Sequence, residues 1–467
     1  MKVLLVTVPF SAEERYTEGM AKVANVLPPL GMTYVAAVLE KANVEVKIID
    51  SQVLNISMDQ LEKQIVDYNP DFIGLYSMTP TFNKCAQLAK RLKNVIPKSY
   101  FVLGGPHASA FPKGILKESD ALDYVIVGEG EITFPELVTS VEKGQDLTKV
   151  DGIALRKDGG VVVTNPRQAI QDLDSIPFPA RHLLQMDKYV PGPYTYKRLP
   201  MTTMITTRGC PFRCTFCPDS VFGKTHRRRS VDNVIKEIRH LQKEYGIKEI
   251  GFYDDTLTLN KKWILELCDR FIEEKIDITW MCSSRVDTID EEMLFKMKKA
   301  GCWSIFYGIE SGNQELLDKI QKGITLDQVR KAVKLTHKAG IIIRASFMVA
   351  LPGETPAKAM ETIRFAIELD CKITKFNITA PYPGTELYEQ ALKSGKLEKN
   401  LDNFTVHHPV FVPYGYKDEN EVMEIEKKAH RMFYFRPSYV LRFISEIRSW
   451  NDFKQLVAGV RVALAGF

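Results

Sequence analysis

The sequence predicts an α/β protein built from two successive units. A doubly wound parallel sheet is expected over residues 1–145 and a parallel βα barrel or partial barrel over 196–395, with a linker at 146–195 between them and a helical region at 396–467. Three observations predict this. Short Val- and Ile-rich runs alternate with stretches of helical periodicity through both units, the pattern of parallel strands joined by crossover helices. Between the units the alternation stops, and a Lys-Asp-Gly-Gly turn and a Pro-Phe-Pro break stand in its place. The chain has 467 residues, more than one hydrophobic core ordinarily serves.

In the first unit, strands are expected at Lys2–Val8, Val44–Asp50, Asp71–Ser77, Tyr100–Leu103 and Asp123–Val127, with helices near 31–42, 58–68, 81–95 and 131–143. The opening apolar run is short and leads to Pro9 without a small-residue cleavage site, so it is read as a buried strand and not as a signal peptide. In a doubly wound sheet, ligands bind beyond the carboxyl ends of the strands. Standing there are Ser77-Met-Thr-Pro-Thr81, Gly104-Gly-Pro-His-Ala-Ser109 and Gly128-Glu-Gly-Glu131. Glycines at such ends let the backbone approach a large ligand closely; the same residues also serve as ordinary turns. In the linker, Asp151–Arg156 and Val161–Thr164 around Asp158-Gly-Gly160 predict a hairpin that fixes one domain against the next.

The second unit begins with an alternating strand, Thr202–Thr207, that runs directly into a cysteine loop. Ser230 caps a helix after that loop. Further strands are expected at 248–253, 278–284, 303–309, 341–350 and 373–379, and helices at 261–274, 289–300, 313–320, 327–339 and 357–369. In a βα barrel the functional residues stand at the carboxyl ends of the strands and in the loops that follow.

The loop Arg208-Gly-Cys-Pro-Phe-Arg-Cys-Thr-Phe-Cys-Pro218 gathers three of the eight cysteines, Cys210, Cys214 and Cys217, at C-x3-C-x2-C spacing, and the other five (Cys85, Cys268, Cys282, Cys302 and Cys371) are scattered. Structural zinc takes four protein ligands, and no fourth stands at finger spacing; His226 is the nearest. A redox pair would use Cys214 and Cys217 and leave Cys210 unexplained. A four-iron cluster suits soft thiolates, and three of them leave one iron open to another molecule.

With Phe216 before its last cysteine, this loop resembles the motif of the radical SAM superfamily. The resemblance implies a [4Fe-4S] cluster on Cys210, Cys214 and Cys217 as the catalytic and metal residues. It implies that S-adenosylmethionine chelates the open iron, and that an external donor of flavodoxin or ferredoxin type supplies the electron that cleaves it to an adenosyl radical. Later stretches match in order. Phe252–Thr256 resembles the segment that contacts the methionine amine, with Asp254 and Asp255 as candidates, since an ammonium needs acceptors. Ser284 and Glu310 end two strands and are candidates for the ribose hydroxyls or the methionine end. Arg344 is a candidate for the carboxylate of S-adenosylmethionine, or else an inward barrel residue paired with Glu310 or Glu354. Met348–Glu354 resembles a Gly-x-Pro-Gly-Glu element near adenine, with Ala350 where glycine is usual.

The first unit, with its Gly-Gly-Pro-His and Gly-Glu-Gly-Glu runs ahead of a three-cysteine motif, resembles the Rossmann-like, flavodoxin-like cobalamin-binding domain of B12-dependent radical SAM enzymes. The resemblance implies cobalamin against Ser77, Thr79, Gly104, Gly105, His107, Gly128 and Glu129. The Asp-x-His-x-x-Gly signature of many cobalamin proteins is missing, so His107 is not given the role of cobalt ligand; it lines the tail site or fills the loop. The activity implied is methylation of an unactivated carbon, with radical rearrangement or oxidative cyclisation as the alternative. A non-catalytic cobalamin carrier is disfavoured by the intact cysteine triad, and methylthiolation by the lack of second-cluster spacing.

The remaining features bound the partners. The net charge of +5 is small for the length and argues against a nucleic-acid binder. The basic run Lys224–Ser230 is read as a solvated segment with an arginine or two bracing the cluster loop, rather than as a phosphate site. In the tail, Glu419–Phe433 is helical, Phe433–Ile444 aromatic and basic, and Glu446–Phe467 amphipathic. These form either a cap on the barrel or a peripheral membrane contact, the latter suiting a lipid-like substrate as well as a small-molecule one. No apolar run reaches the length of a transmembrane helix, and scattered cysteines with an oxygen-sensitive cluster suit a cytoplasmic location.

Overall fold

The computed structural model describes residues 1–15, 26–192 and 195–445. All five strands expected in the first unit form: β1 Lys2–Thr7, β2 Glu45–Asp50, β3 Phe72–Tyr76, β4 Tyr100–Gly104 and β5 Tyr124–Ile126. They lie parallel in the order β2-β1-β3-β4-β5, so the winding reverses between β1 and β3. Such a reversal opens a crevice at the carboxyl ends. Alternation along β1 explains the two cores. Leu4 and Val6 join the helices Met58–Tyr68 and Phe82–Lys93 on one face, and Val3 and Leu5 join Leu30–Lys41 and Gly130–Glu142 on the other. The linker hairpin forms as β6 Ile153–Lys157 and β7 Gly160–Val163, but it extends the sheet itself: β6 pairs antiparallel with β5.

The second unit holds β8 Met201–Met204, β9 Thr207–Arg208, β10 Arg227–Arg228, β11 Glu249–Phe252, β12 Thr279–Ser284, β13 Cys302–Glu310, β14 Ile342–Val349 and β15 Ile373–Ile378. Six of these make a parallel sheet in the order β15-β14-β13-β12-β11-β8, a partial barrel in which β8 and β15 remain edges. Its outward side chains, among them Ile305, Tyr307, Ile343, Ala345, Phe347 and Phe376, pack beneath the surrounding helices in one core. Met201, Met281 and Trp303 close its amino-terminal end.

The single strand expected over Thr202–Thr207 is broken into β8 and β9. The carboxylate of Asp254 accepts the backbone N–H groups of Thr206, at 2.7 Å, and of Thr207, and so takes them out of the ladder. β9 pairs antiparallel with β10, and this two-stranded ribbon is the base from which the cysteine loop rises.

The described part of the tail is a cap on the barrel. The helix Glu419–Tyr434 lies on β15, and the Tyr434 hydroxyl donates to Thr374 O at 2.7 Å and accepts from Thr374 N at 3.0 Å. Phe433 and Tyr439 are buried, with the Arg436 guanidinium over both rings. The amphipathic stretch 446–467 lies outside the described residues. Among the described residues no helix is long and apolar enough to cross a membrane.

The carboxyl ends of the two sheets face each other. A Cβ added to Gly384, beyond β15, would stand 2.8 Å from that of Ala110, beyond β4. The nearest atom to one added at Gly128, beyond β5, would be Val221 O of the cysteine loop, at 3.9 Å.

Candidate active site between the two sheets

The cysteine loop is held by backbone. Gly209 has φ +83 and a Cβ there would collide with Thr225 O, so only glycine lets the chain turn into the loop beside its returning arm. Cys210 N donates to Gly223 O at 3.3 Å, Cys217 N to Cys214 O at 3.1 Å, and Thr215 is fixed through Ile320 O at 3.0 Å and Leu387 N at 2.9 Å. Cys210 and Cys214 are half-buried and Cys217 is exposed. Among the described residues no three His, Cys, Asp or Glu side chains converge as ligands of a single metal ion do. A four-iron cube takes one thiolate per corner, so its ligands need no such convergence.

Two cations stand beside the loop. The Arg285 guanidinium lies 3.5 Å above the Phe212 ring and donates to Cys214 Sγ at 3.7 Å. Lys322 lies 5.5 Å from the Phe216 ring centre and pairs with Glu310 at 2.9 Å. Burial pushes the Cys214 thiol up, and Lys322 and Arg285 oppose that rise without cancelling it. Neither cation was singled out from sequence, although Arg285 stands next to the chosen Ser284.

The other candidates divide. Asp255 is exposed at the rim of the loop, whereas Asp254 is buried and engaged with Thr206 and Thr207. Burial raises the Asp254 carboxyl to about 6, with those backbone donors opposing. Asp254 thus shapes the β8–β9 break and has little left to offer an ammonium. Ser284 belongs to a hydroxyl trio with Thr258, at 2.5 Å, and Thr288, at 3.4 Å. Glu310 ends β13 at φ +72, a costly conformation for a residue with a Cβ. Arg344 pairs with neither Glu310 nor Glu354: Glu310 is taken by Lys322, and Glu354 by Ala350 N and the Tyr416 hydroxyl.

In the first sheet, Ser77, Thr79 and His107 form one buried patch at the crevice. His107 Nδ1 lies 3.3 Å from Thr79 Oγ1, and its ring packs 4.9 Å from that of Phe82. His107 Nε2 is buried with no partner among the described residues, and burial lowers the ring to about 4, so it stays neutral. Gly105 has φ +110, where a Cβ would lie 2.7 Å from Ser77 O, while the space over Gly104 is open.

Glu129 is not free to touch a cofactor. Its carboxylate accepts from Arg208 at 2.8 Å, from Arg227 at 2.8 Å and from Ile170 N at 2.9 Å, and Glu131 takes the other branch of Arg208. The Gly-Glu-Gly-Glu run therefore clamps the first sheet onto the β9–β10 ribbon. Arg227 is the bracing arginine expected within the basic run. Arg229 is buried too, sharing Glu237 with Arg181.

Residues 204–366 match the Radical SAM superfamily, and residues 17–138 the B12 binding domain. An uncharacterized methyltransferase of Pyrococcus horikoshii is 38% identical over 96% of this chain and 95% of its own. The chain belongs to the cobalamin-binding radical SAM family. An anaerobic magnesium-protoporphyrin IX monomethyl ester cyclase of Rubrivivax gelatinosus is 30% identical over 91% of this chain and 77% of its own. The fold is shared with the radical S-adenosylmethionine methyltransferase TsrM of Kitasatospora setae, whose structure was solved with cobalamin and a [4Fe-4S] cluster. The TM-score is 0.69 at 17% identity, over 94% of this chain and 89% of that one.

The residues present fit the cofactors of this family. Three thiols flanked by two cations suit an anionic thiolate cluster. The open space over Gly104 and the unpartnered His107 Nε2 suit a large polar ligand in the crevice of the first sheet.

Proposed function

We propose that this radical SAM enzyme methylates an unactivated carbon of a small molecule held between its two sheets. The observation that carries the reading is the facing of the two carboxyl edges, with the three-cysteine loop on one and the Ser77–His107 crevice on the other. When bound, the family's cofactors supply an electron from the [4Fe-4S] cluster, a radical from S-adenosylmethionine and a methyl group on cobalamin.

The chain's own residues do the rest. Cys210, Cys214 and Cys217 would hold the cluster, Arg285 and Lys322, each also paired with a carboxylate, Asp287 and Glu310, would stand beside it, and Phe212 and Phe216 would shield it. Asp255, Ser284 and Glu310 stand along the edge where S-adenosylmethionine would lie. Ser77, Thr79, Gly104, Gly105, His107 and Gly128 would line the cobalamin side, and the Glu129 clamp holds the first sheet against the base of the cysteine loop. Radical rearrangement or cyclisation is the second reading, favoured by the likeness to the anaerobic cyclase. The electron comes from a flavodoxin- or ferredoxin-type donor docking near exposed Cys217, and any membrane contact belongs to the end of the tail.

The test is anaerobic reconstitution with S-adenosylmethionine, reductant and cobalamin. S-adenosylhomocysteine together with 5′-deoxyadenosine is expected; 5′-deoxyadenosine alone with substrate turned over would select the second reading. Cys214→Ala is expected to lose both the visible absorption of the cluster and cleavage of S-adenosylmethionine. Cleavage that survives this substitution refutes the assignment.

A further inference from the structure

The concave face of the barrel carries two cations without a counter-ion among the described residues. Arg344, the third residue of β14, reaches over β13 to Met281 on β12, with Nη2 2.8 Å from Sδ. That contact spans the barrel interior, so the side chain points inward. Its Nε is buried and has no hydrogen-bond partner, and Arg344 makes no ion pair among the described residues. Lys375 lies on the same face of β15, since Thr374, Phe376 and Ile378 between and beyond it are buried. Its inward neighbour Asn377 bonds Ser346 of β14 at 2.9 Å. Lys375 also has no ion pair or hydrogen bond among the described residues. It is accessible to solvent, yet enclosure by protein, with Arg344 and Arg15 nearby, lowers its pKa. A group both accessible and desolvated is one that lines a concave cavity.

The carboxylates of this region are committed elsewhere. Glu310 is paired with Lys322. Glu249, buried below, accepts from Trp303 Nε1 at 3.0 Å and from Lys197 N and Arg198 N at 2.8 and 2.6 Å. An enclosed guanidinium without a partner is costly for a fold to keep, and a planar fork of donors is suited to carboxylate or phosphate oxygens.

Depth along the strand separates this site from the cofactors. Arg344 stands five residues before Val349, the last of β14, which is roughly 16 Å along a strand. The cysteine loop and the matched segments for S-adenosylmethionine are at the carboxyl ends, so the carboxylate of that cofactor is not the natural partner of Arg344.

We propose that Arg344 and Lys375 anchor an anionic group of the substrate, a carboxylate or a phosphate, at the floor of the barrel. This rests on the enzymatic reading above and adds the substrate class to it: a small molecule with an anionic end below and its reacting carbon at the mouth.

The test uses reconstituted holoenzyme saturated with S-adenosylmethionine, in equilibrium dialysis against labelled inorganic phosphate or labelled acetate. Saturable binding of one probe near one equivalent, at concentrations up to about 10 mM, is expected, and the preferred probe tells phosphoryl from carboxylate. Arg344→Gln and Lys375→Gln are each expected to weaken it about tenfold or more, with Arg344→Lys recovering part of the loss. Lys375 is accessible, so its variant keeps the test alive if Arg344→Gln fails to fold. Wild type that binds neither probe, or variants that bind as well as wild type, overturn the proposal. So does an Arg344→Gln enzyme that binds the probe normally but S-adenosylmethionine about tenfold more weakly, because Arg344 would then hold the cofactor. The enzymatic reading is scored separately, by 5′-deoxyadenosine formation in the wild type, and the two can fail independently.

Discussion

Glu129→Gln is expected to loosen the two sheets from each other. The substitution keeps the shape and removes the charge from a carboxylate that is 7% exposed and meets Arg208, Arg227 and Ile170 N. Arg208 retains Glu131, so the loss falls on Arg227, which keeps the carbonyls of Ile170, at 2.7 Å, Phe222, at 2.8 Å, and Thr225, at 3.5 Å. Removing one partner of a buried ion pair costs about 3–5 kcal/mol, and the surviving carbonyl contacts place the expected loss near the lower end. The midpoint of urea unfolding at unchanged slope measures it. Glu131→Gln is expected to cost less, because Arg208 then keeps Glu129. Replacing both Glu129 and Arg227 by leucine and methionine should recover most of the stability, since the unpaired charge goes with its partner. A Glu129→Gln protein within about 1 kcal/mol of wild type, or a double variant worse than the single one, would refute the clamp as an energetic link.

Other outcomes follow from single contacts. Burial lifts the Glu354 carboxyl from 4.5 to about 7. The folded state therefore holds a proton the unfolded state releases, and the stability this contributes is complete below pH 4.5 and lost as pH rises through 7, by about 3 kcal/mol. Glu354→Gln should flatten that slope and be the more stable protein at pH 8; an unchanged pH profile of the unfolding midpoint refutes the assignment. Ala350 holds φ +63 at the end of β14, so Ala350→Gly should gain about 0.5–1 kcal/mol in the same assay. Arg285→Met removes the cation and donor beside Cys214, and the cluster should become harder to reduce, seen as a more negative midpoint in an EPR-monitored redox titration.

Much of this architecture was legible in the sequence because local and global signals agree. Strands buried on both faces are near-continuous apolar runs, and helices such as Val231–Tyr245 carry both a serine cap and an amphipathic stripe. The cysteine loop was legible for a chemical reason: three soft ligands at short spacing serve few purposes other than a cluster. What was not legible are side-chain partnerships across long separations. Glu129 and Arg227 are 98 residues apart, so nothing local marks the glutamate in a Gly-Glu-Gly-Glu turn as a clamp in place of a cofactor contact. The engagement of Asp254 was hidden for the same reason, since Thr206 and Thr207 stand 48 and 47 residues before it, at the β8–β9 break. The hairpin β6–β7 was visible as a hairpin, but its pairing to β5 was not, because hydrogen-bonding to a sheet edge leaves no mark in composition.

Lys375 shows which signal can recover such residues. On a strand buried on both faces the apolar run should be unbroken, yet β15 reads Ile-Thr-Lys-Phe-Asn-Ile, with Lys375 and Asn377 at alternate positions. Period-two polar residues in a parallel strand covered by helices on its outer face must point to the inner one. Arg344 and Ser346 repeat the pattern on β14, one strand away. The barrel interior of this chain is thus polar and cationic along two adjacent strands, and the apolar cluster of Met201, Met281 and Trp303 closes the floor beneath, with Met281 against the Arg344 guanidinium. A substrate that entered between the sheets would meet, above that apolar packing, the positive charge of Arg344 and Lys375, which have no ion pair among the described residues. On the proposal above, that charge, more than the shared cofactor machinery at the mouth, would select which molecule the enzyme accepts.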